Sequence, residues 1–333
     1  MAPRFLARSL AGHLATALAA LVTTGLAVTG TASMFYEGWG QPLPHLLAYV
    51  APAGVLLVLC LVALRWPQVG GLLLLAAGLA AVAWWLIAQA ERGMVPLDVL
   101  LLNALTLIAP VAATTALFLL EARHRRLLLL EGAAPSSRWI ARNARYVLVA
   151  GVPLAAVAIL ASVRLPELLA RRDDGQRGRR TIAGSGVTLT WAPLGPGWNG
   201  KLDTGEYPSW NDLARHGSPP LDRCAYLDEN GTALLPSAAR IWRLPAADEI
   251  LRTLTRDGEN AGCVWDGRSP HAACRRPPDK ETPLWAPDQA PIYYWSASQA
   301  DARTALAVNY TGGISYLPKS MRAGVGFRCV RNP

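Results

Sequence analysis

Cysteines, two histidines and a short run of mixed charges offer most of the chemistry in this 333-residue chain. Cys60 lies in an apolar stretch, whereas Cys224, Cys263, Cys274 and Cys329 all fall in the second half. Thiolates bind zinc through closely spaced pairs. No C-x-x-C spacing occurs, and neither His216 nor His271 completes a zinc pattern. Disulfides in an oxidising compartment are the remaining reading, with three connectivities open to four cysteines. Cys263 and Cys274 enclose the turn-rich loop Val264-Trp265-Asp266-Gly267-Arg268-Ser269-Pro270, which one bond would staple; Cys224 would then join Cys329 across the domain. Asp266, Arg268 and His271 put an acid, a cation and a base in that loop, but their spacing pairs no nucleophile with a base. No catalytic residue and no metal ligand is assigned. No cofactor is expected, although a calcium ion held by carbonyls and carboxylates leaves little trace in a sequence.

A second candidate is Asp279, Lys280, Glu281 and Trp285, in a proline-bounded segment that precedes Tyr294 and Trp295. Charge, proline and aromatic rings near a sheet suit a ligand groove. They equally suit a surface turn whose Trp285 packs inward. Seven of the twelve tryptophans, at 191, 198, 210, 242, 265, 285 and 295, lie in this half. Most are expected to build a core, since large aromatics supply much buried area, while exposed ones would stack on sugars or peptides.

The elements that position these residues divide sharply. The chain is 52% hydrophobic and 17% charged; residues 1–164 hold eleven Arg and five acids, and residues 165–333 hold twenty-one basic and eighteen acidic residues. About 20 apolar residues cross a bilayer as a helix. Five charge-free windows qualify, centred on Leu10–Thr29, Leu46–Leu64, Gly70–Ala88, Leu100–Leu120 and Val147–Val163. Arg4 and Arg8, Arg65, and the group Arg123, Arg125, Arg126, Arg138, Arg142 and Arg145 all fall on one side of such a bundle, which the positive-inside rule places in the cytoplasm. The N-terminus is therefore expected inside and the second half outside, in the periplasm or extracellular space. Reading the first span as a signal peptide ending near Thr31-Ala32-Ser33 would leave four spans with both ends outside, so the compartment of the second half is unchanged; its apolar run is long for a signal peptide.

Within the spans, His13, Gln89, Asn103 and Thr106 are the notable polar side chains, with no acid or base at mid-depth, which disfavours an ion-coupled transporter. Gly70, Gly71 and the neighbouring alanines suit close helix packing, and Trp84, Trp85 and the loop Phe35-Tyr36-Glu37-Gly38-Trp39-Gly40 suit an interfacial aromatic belt. The net charge of +9 belongs to the membrane borders: residues 181–333 hold sixteen basic and fifteen acidic residues, so nucleic acid is not an expected partner.

The second half reads as α+β. Residues 165–185 form a polar connector rich in Arg, Asp and Gly. Val187–Trp191 alternates as a strand, Ser209-Trp210-Asn211-Asp212 matches a capping box opening a short helix, and Arg223–Leu227 continues as helix. Ile241–Leu244 is extended, and Ala246–Leu254 is helical. Ile292–Ser296, Thr304–Tyr310, Ile314–Leu317 and Val325–Val330 form a small antiparallel sheet, with Asn309-Tyr310-Thr311 serving hairpin-turn chemistry rather than glycosylation. The resulting organisation is an all-α five-helix transmembrane domain at 1–164, a juxtamembrane linker at 165–185, and an extracytoplasmic disulfide-stapled domain at 186–333.

Ser209-Trp210-Asn211-Asp212, Cys224, Trp242-Arg243-Leu244-Pro245 with Glu249, Tyr294-Trp295-Ser296, and Gly326-Phe327-Arg328-Cys329-Val330-Arg331 occur in that order. Over Val187–Asn332 the chain resembles a domain of unknown function found at the C-termini of many bacterial surface proteins, related to formylglycine-generating, sulfatase-modifying enzymes. The resemblance implies a C-type-lectin-like fold with two short helices, in which a helix cysteine is tied to the final-strand cysteine, here Cys224 with Cys329. The oxidase relatives use two further cysteines just before that strand. Tyr316–Gly324 has none. The expected function is therefore display of a non-catalytic domain on a bacterial inner or plasma membrane, for ligand binding, sensing or envelope organisation. Its partners would be the lipid bilayer and a glycan, peptide or envelope protein. A divergent modifying enzyme, or a transport or assembly subunit with the tail as a lid, is the alternative.

Overall fold

Small residues line the inner faces of the long helices, and large apolar ones point outward. A computed structural model describes residues 9–37, 43–92, 97–131, 139–199, 207–214, 223–322 and 324–333, with the side chains of 88–104, 106–107 and 139–142 outside that description. The N-terminal half contains helices α1 (Leu10–Glu37), α2 (Leu43–Arg65), α3 (Pro67–Arg92), α4 (Leu97–Leu130) and α5 (Trp139–Leu169). Helix α1 buries Gly12, Ala15, Thr16, Ala19, Ala20, Thr23, Ala27 and Thr31, one stripe at helical spacing, while Leu10, Leu14, Leu21 and Leu26 are exposed. That inversion of a soluble helix is the arrangement expected where the surroundings are as apolar as leucine and association depends on close backbone approach. Among the described residues, helical segments in α1, α2, α3 and α5 are long and apolar enough to cross a membrane. The expected span at 100–120 lies in α4, much of whose side-chain detail is outside the described residues, as are the side chains of Gln89, Asn103 and Thr106 and residues Arg4, Arg8, Gly38–Gly40 and Arg138.

Close packing explains two glycines. A Cβ at Gly70 would fall 2.1 Å from Ala63 Cα, and one at Gly12 would fall 2.4 Å from Glu121 Oε2. Glu121 is buried in α4, where its carboxylate accepts bonds from Ser9 Oγ at 2.7 Å and Arg125 Nε at 2.7 Å. Ser9 Oγ in turn accepts the Gly12 amide at 3.1 Å, capping α1, and Arg125 Nη1 donates to the Leu64 carbonyl at the end of α2. A buried acid in α4 thus reaches the start of α1, and through Arg125 the end of α2. Sequence position shows Glu121 only as a border charge.

The C-terminal unit begins at Pro166. It contains β1 (Arg180–Gly184), β2 (Val187–Trp191), β3 (Trp198–Asn199), α6 (Trp210–Ala214) and α7 (Ala247–Arg252). It continues with β4 (Thr255–Arg256), β5 (Glu259–Asn260), β6 (Cys263–Val264), β7 (Ala273–Cys274), β8 (Tyr293–Gln299), β9 (Thr304–Asn309), β10 (Ile314–Pro318), β11 (Val325–Arg328) and β12 (Val330–Arg331). A five-stranded sheet has the order β10-β9-β8-β11-β3, and a three-stranded sheet has the order β1-β2-β12. Two ribbons, β4-β5 and β6-β7, complete the strand pairing.

The larger sheet separates two cores. Along β8, Tyr294 joins a core with Trp191, Trp198, Ile250, Leu254 and Trp285, whereas Trp295 joins another with Trp210, Leu213, Trp242 and Phe327. Along β9, Leu306 and Val308 face the first core and Ala305 and Ala307 the second, because successive strand residues face opposite sides. Burial on both faces accounts for the unbroken apolar run in β9. Six tail tryptophans, at 191, 198, 210, 242, 285 and 295, are buried.

Three expectations are corrected. Within the expected connector at 165–185, Arg180–Gly184 pairs with Val187–Trp191 in full antiparallel register, so those five residues are an edge strand of the domain. The sheet is mixed, since β11 runs parallel to β8 through Val325↔Tyr293 and Gly326↔Tyr294. Residues 223–226 form turns rather than helix, so Cys224 sits in a turn, and the antiparallel bridge Leu227↔Leu234 follows. The capping box does form: Asp212 Oδ2 accepts the Ser209 amide at 2.8 Å, and Ser209 Oγ accepts the Asp212 amide at 3.2 Å. Helix α7 uses half of such a box, with Glu249 Oε2 accepting the Ala246 amide and Ser298 Oγ accepting that of Ala247. Asn309 Oδ1 accepts the amides of Thr311 and Gly313, closing the β9–β10 hairpin.

Both cysteine pairs are bonded, Cys224 with Cys329 and Cys263 with Cys274, over sequence separations of 105 and 11 residues. The first pins the second core to the sheet, and the second crosses the β6–β7 ribbon. Chain entropy assigns about 5 kcal/mol to a loop as long as the first and about 3 kcal/mol to one as short as the second. The double variant Cys224→Ala/Cys329→Ala is expected to lower urea resistance, followed by tryptophan fluorescence, more than Cys263→Ala/Cys274→Ala; the reverse order would contradict this division.

Candidate functional site

The charged segment that resembles a groove in sequence is interior in the structure. Asp279, Lys280, Glu281, Trp285, Tyr294 and Trp295 are all buried. Asp279 Oδ1 accepts Arg171 Nε at 3.0 Å and the Lys280 amide at 2.7 Å, and Oδ2 accepts Arg256 Nη1 at 3.4 Å. Glu281 Oε2 accepts the Gly258 amide at 3.1 Å, and burial raises its carboxyl above the usual range. Lys280 Nζ donates to the Gln289 carbonyl, and Thr282 Oγ1 donates to the Arg172 carbonyl at 3.2 Å. Trp285 stacks on Tyr294 with centroids 3.8 Å apart, while Trp295 faces the opposite core and donates from Nε1 to the Pro208 carbonyl. Four of the six proposed groove residues therefore belong to one buried plug, Tyr294 meets it from β8, and Trp295 lies across the sheet. The groove expectation is overturned because partners far away in sequence satisfy the charges and remove them from solvent.

Arg328 fastens this plug. It is fully buried in β11, with its guanidinium carbon 3.6 Å from the Trp198 ring centroid and 5.7 Å from that of Trp191. Nε donates to the Ala192 carbonyl at 2.9 Å, and Nη1 donates to those of Pro283 at 2.6 Å and Leu284 at 2.7 Å. Burial pushes its pKa down to about 9, still above neutrality, so the cation is held by carbonyls and ring faces. Trp198 Nε1 donates to Tyr294 Oη at 2.8 Å, linking this clamp to the Trp285 stack.

The stapled loop is equally self-contained. Asp266 Oδ1 accepts the amides of Ser269 and Arg268, and Oδ2 accepts Ser269 Oγ; these bonds hold its carboxyl down to about 2. His271 pairs through its backbone with Gly313, docking the loop on the hairpin turn. Among the described residues, no group of three or more His, Cys, Asp and Glu side chains could hold a metal ion. His216 lies outside them.

One cationic opening was not identified in the sequence. A cleft of about 530 Å³ is lined by Arg240, Ile241, Arg243, Arg331, Asn332 and Pro333. The antiparallel bridge Arg243↔Val330 brings Arg243 beside Arg331. Glu249 grips Arg243 through two bonds of 2.7 Å. Arg331 lies over Trp242, 5.0 Å from the ring centroid, and donates Nη1 to the Glu229 carbonyl at 3.0 Å. Arg240 is exposed and adopts a left-handed backbone with φ of 55°. Both Arg243 and Arg331 stand in the sequence motifs, but only strand register reveals that the motifs are neighbours.

Comparison with protein-family models, curated proteins and solved structures finds no match to this chain.

Lys280 gives the plug a pH signature. Burial, reinforced by the nearby Arg171 cation, lowers its ammonium pKa to about 7, whereas the unfolded chain keeps it near about 10.4. Between these values the unfolded state binds the extra proton, so stability rises with pH across that window. Thermal unfolding at pH 6, 8 and 10 is expected to show Lys280→Met gaining on the order of 3 kcal/mol over wild type at the acid end, with the gap closing towards pH 10. Parallel profiles for the two proteins would contradict burial of an ionisable amine.

Proposed function

We propose that this chain is an integral membrane protein whose five helices hold a C-type-lectin-like domain outside the cytoplasm, where it binds or senses an envelope ligand without catalysis. The observation that carries this reading is the contrast between the two units. One buries small residues and exposes leucines, as lipid-facing helices do; the other closes two disulfides, as domains in oxidising compartments do. Cys60 remains unbonded within α2, buried beside Thr23. The arginines near the C-terminal end of α4 and the N-terminal end of α5 support a cytoplasmic location for the link between them and for the N-terminus.

The non-catalytic part of this reading is supported by how the polar side chains are used. Asp279, Lys280, Glu281, Asp266 and Asp212 all serve internal contacts, and Tyr316–Gly324 offers no thiol for oxidase chemistry. The envelope ligand would be a glycan, peptide or protein partner reached from the exposed side of the domain.

Cysteines introduced singly at Ser237 and Ser136 test the orientation. A membrane-impermeant maleimide is expected to label Ser237→Cys in intact cells and Ser136→Cys only after permeabilisation. The opposite pattern would place the domain in the cytoplasm and remove the basis for the reading.

A further inference from the structure

We infer that the cleft formed by Arg240, Arg243 and Arg331 binds a ligand that carries more than one negative charge on its carboxylate or phosphate groups; this rests on the binding role proposed above and names its chemistry. Three of the six lining residues are arginines and none is acidic. A volume of about 530 Å³ is that of a small-molecule site. Planar guanidinium groups match both oxyanions because each presents parallel N–H donors to two oxygens.

The three cations are held in different ways. Arg243 is braced by the two oxygens of Glu249 from α7, and Arg331 is braced by the Trp242 face and the Glu229 carbonyl. Arg331 Nε is buried without a hydrogen-bond partner, so the fold leaves this guanidinium incompletely satisfied. Arg240 carries the strongest sign of use. Its backbone occupies the left-handed region, where glycine is at ease and arginine is strained, while its amide donates to the Ala225 carbonyl at 2.8 Å. Glycine would preserve that amide bond and relieve the strain. An arginine at the lip of a cationic cleft is consistent with selection for its side chain rather than for folding.

The test uses full-length protein in detergent, titrated with pyrophosphate and citrate by calorimetry. Saturable binding is expected, weakened about tenfold or more by either Arg240→Gln or Arg240→Gly, and unchanged by Arg268→Gln on the stapled loop. Arg240→Gly is also expected to raise the melting temperature while it loses affinity, a combination that a purely structural arginine would not give. Nanodiscs then distinguish the source of the oxyanion: competition by phosphatidylglycerol points to a lipid headgroup, and its absence points to a soluble or polymer-borne anion. No saturable binding, or equal affinity in the Arg240 variants and Arg268→Gln, overturns the proposal. That failure leaves the display reading intact, because calorimetry in detergent is independent of orientation; reversed maleimide labelling would remove the display reading while leaving this result standing.

Discussion

A buried cation without a carboxylate partner among the described residues organises the C-terminal unit. Desolvating a guanidinium costs several kcal/mol, and Arg328 offsets that cost only if its surroundings are built around it. Carbonyls from Ala192, Pro283 and Leu284 must converge on one face of β11, and the Trp198 ring must lie against the charge. Those requirements fix three segments at once: the chain after β2, the strand β3, and the end of the 279–285 plug. The next residue, Cys329, lies between β11 and β12 and carries the long-range disulfide, so adjacent positions tie together the plug, the sheet and the turn at Cys224. Once the plug is seated, its own charges have no route to solvent and must pair internally, as Asp279 does with Arg171 and Arg256.

Much of this fold is legible in the sequence because its signals are local. Charge-free windows mark the long helices, Ser209 and Asp212 mark a helix start three residues apart, and Thr311-Gly312-Gly313 marks a hairpin. The short spacing of Cys263 and Cys274 marks a staple. What remained hidden depends on partners distant in the chain. Arg180–Gly184 reads as connector because Arg-Thr-Ile-Ala-Gly holds one large apolar side chain, Ile182, too few for an alternating pattern; β2 supplies its order. Lys280 reads as exposed because nothing nearby in sequence announces the Gln289 carbonyl or burial beneath Arg171. The parallel pairing of β8 and β11 is likewise a product of register between segments about thirty residues apart.

The same distinction separates the charges that the fold uses internally from those it leaves at its edge. Residues that look reactive in a linear reading, Asp266, Asp279, Lys280 and Glu281, are committed to holding turns and the plug in place. The arginines that line an open cleft appear unremarkable in sequence, and two of them lie within motifs whose apparent interest is the neighbouring tryptophan or cysteine. The fold thus consumes the charges near its core and leaves a cationic surface at the edge where Arg243 and Val330 pair. The proposed binding role would use that arrangement: a rigid interior and a few polar groups available at one opening.

The central claim is that the Arg328 clamp seats the 279–285 plug as part of the domain interior. Hydrogen exchange measured by mass spectrometry on the full-length protein, comparing wild type with Arg328→Lys, tests it directly. A lysine cannot reproduce three directed bonds or the planar contact with Trp198. Faster exchange is expected together at 279–285 and at 192–199, with α1–α4 unchanged. Unaltered protection of the plug in the variant would contradict the account and return those charged residues to the surface as candidates for ligand contact.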